Sequence, residues 1–214
     1  MKHFAILFAL CALTFTSIHA QNSYPKGVYY SFDEILKSIP RDTSTVLLVE
    51  RRSVGDIKMN GGNDYKLIAP NDELKSKAIK RDVSAYSTGD TLYINGGKQM
   101  VQKWYCKVIS DGAYIVFMGG LSNYTEKQKA QMDAGAAFGA IGGAVSGAKA
   151  AMLRFPYAIN RSTKELIYLE PIKMKEILGV NPELLAKYEK EEDNGRTEVI
   201  LKYMEMVNAG KVLE

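Results

Sequence analysis

The chain has 214 residues and a formal net charge of +4, from 28 lysines and arginines against 24 acidic residues. Basic and acidic residues are interspersed, with residues 75–81 the one basic concentration. No basic stripe of the kind that binds nucleic acid is present, and a solvated face is the expected meaning of that stretch.

The N-terminus has the pattern of a secretory signal peptide over residues 1–20. Lys2 supplies the positive start, residues 4–16 form a short apolar run, and Ser17-Ile18-His19-Ala20 ends on a small residue suited to cleavage. The run is shorter than the roughly 20 residues that span a bilayer as a helix. Cys11 lies inside it after Phe8-Ala9-Leu10, which is not a lipid-anchor arrangement, so no lipoprotein is expected. The expected mature chain begins at Gln21 and is exported, periplasmic or extracellular, with outer-membrane association left open. His3, His19 and Cys11 leave with the signal peptide. What remains has no histidine and one thiol, Cys106. That inventory excludes Ser-His-Asp and Cys-His nucleophiles, His-based metal sites and an intrachain disulfide. Cys106 lies in an apolar run and is expected to be a buried structural residue.

Residues 28–30 predict a short strand. Ser31-Phe32-Asp33-Glu34 has capping-box spacing and opens a helix that ends before Pro40. Residues 45–50 are apolar and β-branched enough for a central strand. The cluster at 60–64 then marks a turn, with 65–69 as its return. Residues 82–119 predict a β-meander with turns at Gly89-Asp90, Asn95-Gly96-Gly97-Lys98 and Ser110-Asp111-Gly112. Residues 155–160 and 166–169 form another hairpin around Arg161-Ser162-Thr163-Lys164. Pro171 opens a short helix stopped by Gly179; Asn181 caps the next, with Pro182 in its first position. A last helix covers 197–208. The predicted fold class is α+β: a small antiparallel meander, sandwich or barrel-like sheet over residues 21–169, with C-terminal helices at 170–214 packing on the same domain.

Residues 123–153 interrupt that sheet with a glycine- and alanine-rich insertion. Gly135, Gly139, Gly143 and Gly147 recur at every fourth position. In a helix they would cost on the order of 4 kcal/mol relative to alanine, which close backbone contact could offset. They form a smooth strip on one side of a helix with Phe138, Ile141, Val145 and Met152 on another. The uncharged stretch is too short and too poor in leucine for a simple transmembrane span. The expected packing is against the protein's own sheet. Self-association, or contact with a membrane, through the same strip is the alternative.

Carboxylates, lysines and tyrosines are the remaining reactive groups. Asp33/Glu34 and Glu191/Glu192 have capping or charged-helix explanations, and Ser110-Asp111-Gly112 has a turn explanation. Neither Gly61-Gly62 nor Gly96-Gly97 has the phosphate-loop pattern. No catalytic residue, cofactor motif or metal-ligand set is therefore expected. Tyr93, Trp104, Tyr105 and Tyr114 are the candidate aromatic ligand face.

The early GVYYSFDEILKSIP, the DTLYING-to-FMGG meander, the PYAINRSTKELIYL hairpin and the closing NPELLAKYEKEE and LKYMEMVN helices resemble a family of uncharacterised exported proteins of Bacteroidota. The resemblance implies export and architecture, and carries no functional residue. The expected function is that of a non-enzymatic exported envelope protein, a binding or structural module with an unidentified protein or envelope partner. The alternative is a membrane-associated or self-oligomerising component that uses the glycine strip.

Overall fold

The computed structural model describes residues 24–70, 76–95, 104–122 and 147–210. Their fold is α+β, with a seven-stranded antiparallel sheet and a separate two-stranded one. The large sheet holds β1 (Gly27–Tyr29), β4 (Ala85–Ser87), β5 (Leu92–Ile94), β6 (Cys106–Asp111), β7 (Tyr114–Gly119), β8 (Phe155–Asn160) and β9 (Leu166–Tyr168), in that spatial order. From β4 to β9 this is the meander that the turn residues predict. Among the described residues its end strands, β1 and β9, do not pair with each other, so the sheet is not closed into a barrel.

Strand alternation divides the buried residues between two faces. Tyr29, Ala85, Ile94, Cys106, Ile115, Phe117, Tyr157 and Ile159 fall on one face and form one continuous cluster. Their neighbours fall on the other, which two separate groups cover. Val28, Tyr86 and Tyr105 pack with Leu47, Leu67, Ile79 and Val83. Val116 and Ala158 pack with the C-terminal helices.

Helix α1 (Phe32–Lys37) carries the predicted capping box in full, with the Ser31 hydroxyl accepting from the Glu34 amide and Glu34 returning to the Ser31 amide. It ties the start of the sheet to the β8–β9 turn. There Lys164 pairs with Asp33, and Arg161 donates to the Leu36 carbonyl at 3.2 Å.

Residues 45–50 depart from the expected central strand. The strand there is β2 (Leu48–Arg51), paired only with β3 (Tyr65–Ile68) in the small sheet. Leu47 is buried while Leu48 is 54% exposed, so this small sheet has one face open to solvent, as antiparallel pairs commonly do. Helix α2 (Val54–Asn60) fills the connection and lies outside what periodicity predicted. The Ser53 side chain caps it by accepting from the Asp56 amide at 3.1 Å. An isolated bridge, Tyr65 to Tyr105, joins the small sheet to the large one. The basic residues 76–82 form helix α3 (Ser76–Asp82), whose Ile79 is buried.

The chain re-enters the described residues at α4 (Gly147–Met152), ahead of β8. Gly147 is its first residue; Gly135, Gly139 and Gly143 lie outside the described residues. The signal-peptide residues 1–20 lie outside them as well. Helices α5 (Pro171–Leu178), α6 (Pro182–Glu189) and α7 (Thr197–Asn208) start and stop where the sequence signals predict. Their Met174, Leu178, Leu184, Tyr188, Ile200 and Met204 bury against Val116 and Ala158, which places α5–α7 on the sheet itself. Among the described residues no helix is long and apolar enough to cross a membrane.

Candidate functional site

The most chemically distinctive cluster sits where β6 ends. Asp111 and Arg161 form a two-pronged ion pair, with side-chain exposures of only 5% and 17%. Tyr24 donates to the second Asp111 oxygen at 2.7 Å and also touches the guanidinium. Burial, and then the Asp111 charge, push the Tyr24 phenol well above its ordinary range. The composition of Ser110-Asp111-Gly112 predicts that Asp111 serves a turn. Instead it is the last residue of β6, turned inward.

A β-bulge causes that turn. Val108 opposes Phe117, but Ser110 opposes Val116 and Asp111 opposes Ile115. Directly opposed residues share a face, so Val108 and Asp111 both point to the face of Phe117 and Ile115. Strict alternation from Val108 would have put Asp111 on the other side. The extra residue, Ile109, shifts the phase by one.

Beside this cluster, the sheet opens. The β5–β6 ladder consists of Ile94 opposite Cys106 and Tyr93 opposite Lys107, and it stops there. Beyond it the β4–β5 turn and β6 diverge around a cleft of about 730 Å³, within the range that holds small ligands. Gly89, Asp90, Thr91 and Leu92 form one wall, and residues 107–111 form the other. Tyr24 bridges the two walls. Its carbonyl accepts from the Ser87 hydroxyl at 2.8 Å while its phenol holds Asp111. Ser87, fully buried, also accepts from the Gly89 amide at 3.0 Å. Gly89 adopts a φ of +101°, a conformation that side-chain-bearing residues seldom take. The divergence is thus braced at both walls.

A second polar cluster holds the small sheet. Arg52 is a buried cation that donates to Asp56 at 2.7 Å and to the carbonyls of Gly61 and Asn63 at 2.6 and 2.8 Å. Its guanidinium carbon lies 4.1 Å from the Trp104 ring centre, and the Lys80 ammonium lies 3.5 Å from it. Burial, followed by the charge of Arg52, lowers the Lys80 pKa. Asn63 continues the tie, donating to the Trp104 carbonyl and accepting from the Gly120 amide.

The four aromatic candidates do not form one surface: Tyr93, Tyr105 and Tyr114 point to the same face of the large sheet, but two separate groups cover it. Trp104 carries the two cations just described. Tyr93 is half-buried and meets Tyr65 edge-on at 5.0 Å. Tyr105 is fully buried, its one hydroxyl proton shared between the carbonyls of Ile79 and Val83 at 3.0 and 3.1 Å. Tyr114 belongs to the other flank, packed against the cluster beneath the C-terminal helices. Sequence order could not separate them, because what covers each strand is supplied by distant parts of the chain.

Three of the four paired carboxylates are engaged elsewhere. Asp33 pairs with Lys164, Glu34 caps α1 and pairs with Arg41, and Glu191 accepts from Lys202 and Tyr203. Cys106 is buried and unbridged, and burial pushes its thiol up.

No curated protein and no solved structure matches the chain. Residues 27–211, which contain every strand and helix described above, match a family of unknown function, DUF6563, and the chain belongs to that family.

Proposed function

We propose that this protein is a non-catalytic, exported envelope protein that binds its ligand in the cleft between the β4–β5 turn and β6. The observation that carries the binding reading is the braced divergence of the sheet. Tyr24 spans it, and a desolvated Asp111–Arg161 pair stands behind it. Concave sites with a few buried, convergent polar groups are where ligands bind. The engagement of Asp33, Glu34, Asp56, Asp64 and Glu191 with cations supports a structural use of the carboxylates. The signal-peptide pattern of residues 1–20 supports export.

Two measurements test this. Osmotic shock should release the protein with Gln21 at its N-terminus; an intact Met1 in the cytoplasmic fraction would reject export. A panel of tetrapeptides, disaccharides and fatty acids titrated into ¹⁵N-labelled protein should move the amides of residues 89–92 and 107–111. A panel that moves none of them rejects the cleft as the site.

The spacing of Gly135, Gly139, Gly143 and Gly147 favours one second reading, a membrane-associated or self-assembling envelope component. Recovery only with detergent, and loss of that behaviour in a Gly139→Leu, Gly143→Leu variant, would support it over the first.

A further inference from the structure

We propose that the cleft takes a short extended peptide with free ends, added as a strand antiparallel to β6, its amino end toward Asp90 and its carboxyl end toward Lys107. The inference rests on the cleft being the binding site and goes on to name what fills it.

The first argument is the backbone. The β5–β6 ladder ends at Tyr93 opposite Lys107, although β6 continues to Asp111. Of its remaining residues, Val108, Ser110 and Asp111 pair with β7 on one side, and residues 108–111 border the cleft on the other. The cleft therefore borders a strand edge inside the sheet. A peptide backbone has the alternating donors and acceptors that such an edge lacks.

The ends of the cleft decide length and polarity. At the Lys107 end, the closed ladder blocks a guest strand from running further along β6. At the Asp111 end, Tyr24 spans the gap. Between them lie residues 108–111, about 13 Å of strand at roughly 3.3 Å per residue, room for three or four guest residues. A guest that must stop at Lys107 presents a terminus there.

Charge sets the direction. Extending the β5–β6 register from Tyr93 opposite Lys107 would set Asp90 against Ser110, so Asp90 and Lys107 mark opposite ends of the opening. Neither forms an ion pair within the protein among the described residues, whereas Asp111 is already held by Arg161. Strand β6 runs from the Lys107 end to the Asp111 end. An antiparallel guest brings its amino group to Asp90 and its carboxylate to Lys107; a parallel guest would bring like charges together at both ends. Leu92 and Val108 in the walls suit small apolar side chains.

The probe is the tetrapeptide alanyl-valyl-threonyl-alanine, titrated into ¹⁵N-labelled protein. The amides of Val108, Ile109 and Ser110 should shift, and acetylating and amidating the two ends should weaken binding about tenfold. Methylating the central peptide nitrogens should abolish it. Asp90→Asn should remove the preference for a free amino end only, and Lys107→Gln the preference for a free carboxyl end only. Both positions are exposed or on the cleft wall, and unchanged unfolding midpoints will confirm that the variants fold. Equal binding of the capped or methylated peptide overturns the proposal. A disaccharide or fatty acid that moves these amides when the peptide does not also overturns it, but leaves the cleft as the site. If no probe moves them, the cleft reading falls with it.

Discussion

The Arg161 guanidinium grips Asp111 from 50 residues away, with Nε 3.0 Å from Oδ1 and Nη2 2.8 Å from each carboxylate oxygen. The pair joins the end of β6 to the β8–β9 turn, and Arg161 extends the link to α1 through the Leu36 carbonyl. It stands beside the point where β5 and β6 part.

Asp111→Ala leaves a largely buried guanidinium without its carboxylate. Removing one partner of such a pair costs about 3 kcal/mol or more. Tyr24→Phe removes one hydrogen bond to the same carboxylate and should cost about 1 kcal/mol. Urea unfolding measures both. A loss below about 1 kcal/mol for Asp111→Ala would show that the pair does not hold the sheet.

Asn208, the last residue of α7, grips the β6–β7 turn. Its amide oxygen accepts from the Tyr114 amide at 2.9 Å, and its nitrogen donates to the Ser110 hydroxyl at 2.7 Å and the Tyr114 carbonyl at 2.8 Å. Gly112 makes this approach possible, because a Cβ there would stand 2.6 Å from the Asn208 carbonyl oxygen. Gly112→Ala should therefore cost about 1–3 kcal/mol, and Asn208→Ala about 2 kcal/mol. The double variant should lose less than the sum, since the added methyl displaces the helix end that makes the bonds. Additive losses in urea would reject the coupling.

Alkaline pH should unfold the protein through its tyrosines. Burial pushes Tyr29, Tyr168, Tyr188 and Tyr203 up to about 12, against about 10 in an unfolded chain. Between those values the unfolded state releases protons that the folded state keeps. The contribution to stability is complete below pH 10 and is lost as pH rises toward 12. Tyrosinate absorbance at 295 nm should rise in two stages, with the second stage coinciding with loss of the folded circular dichroism. Smooth ionisation of every tyrosine near pH 10, in a protein that stays folded, would contradict this.

Much of the local structure was legible in the sequence because its causes act over a few residues. Ser31 and Glu34 meet within one helical turn, Asn181 caps α6, Pro171 and Pro182 open their helices, and the Gly89-Asp90 and Arg161–Lys164 turns fall between strands as expected. Helix α2 carried a local signal that periodicity overlooked, Ser53 three residues before Asp56. Residues 45–50 misled for a different reason. Their composition suits a strand, but cover on one face or two depends on what the rest of the chain supplies.

The candidate site was less legible. Ser110-Asp111-Gly112 has the composition of a turn, and Gly112 and Ala113 do follow the strand end. What composition could not show is that Asp111 faces inward, because the bulge at Ile109 reverses the alternation. Arg161, in a polar turn, showed no sign of its partner. Tyr93, Trp104, Tyr105 and Tyr114 looked like one aromatic face because they recur in one meander. Register sets Tyr93, Tyr105 and Tyr114 on one face of the sheet, but separate covering layers part Tyr114 from the other two.

The sequence by itself determined the α+β class, the order of the meander and the limits of the C-terminal helices. Capping, turn and alternation signals are short-range, and each can be satisfied by residues a few positions apart. Only the tertiary structure decided that the sheet stays open, that β5 and β6 part around a cleft, and that Tyr24, Asp111 and Arg161 brace it. Those features depend on pairing register and on contacts between residues 50 to 137 positions apart. A one-residue shift in register changes which side chains meet, and no local pattern encodes that shift.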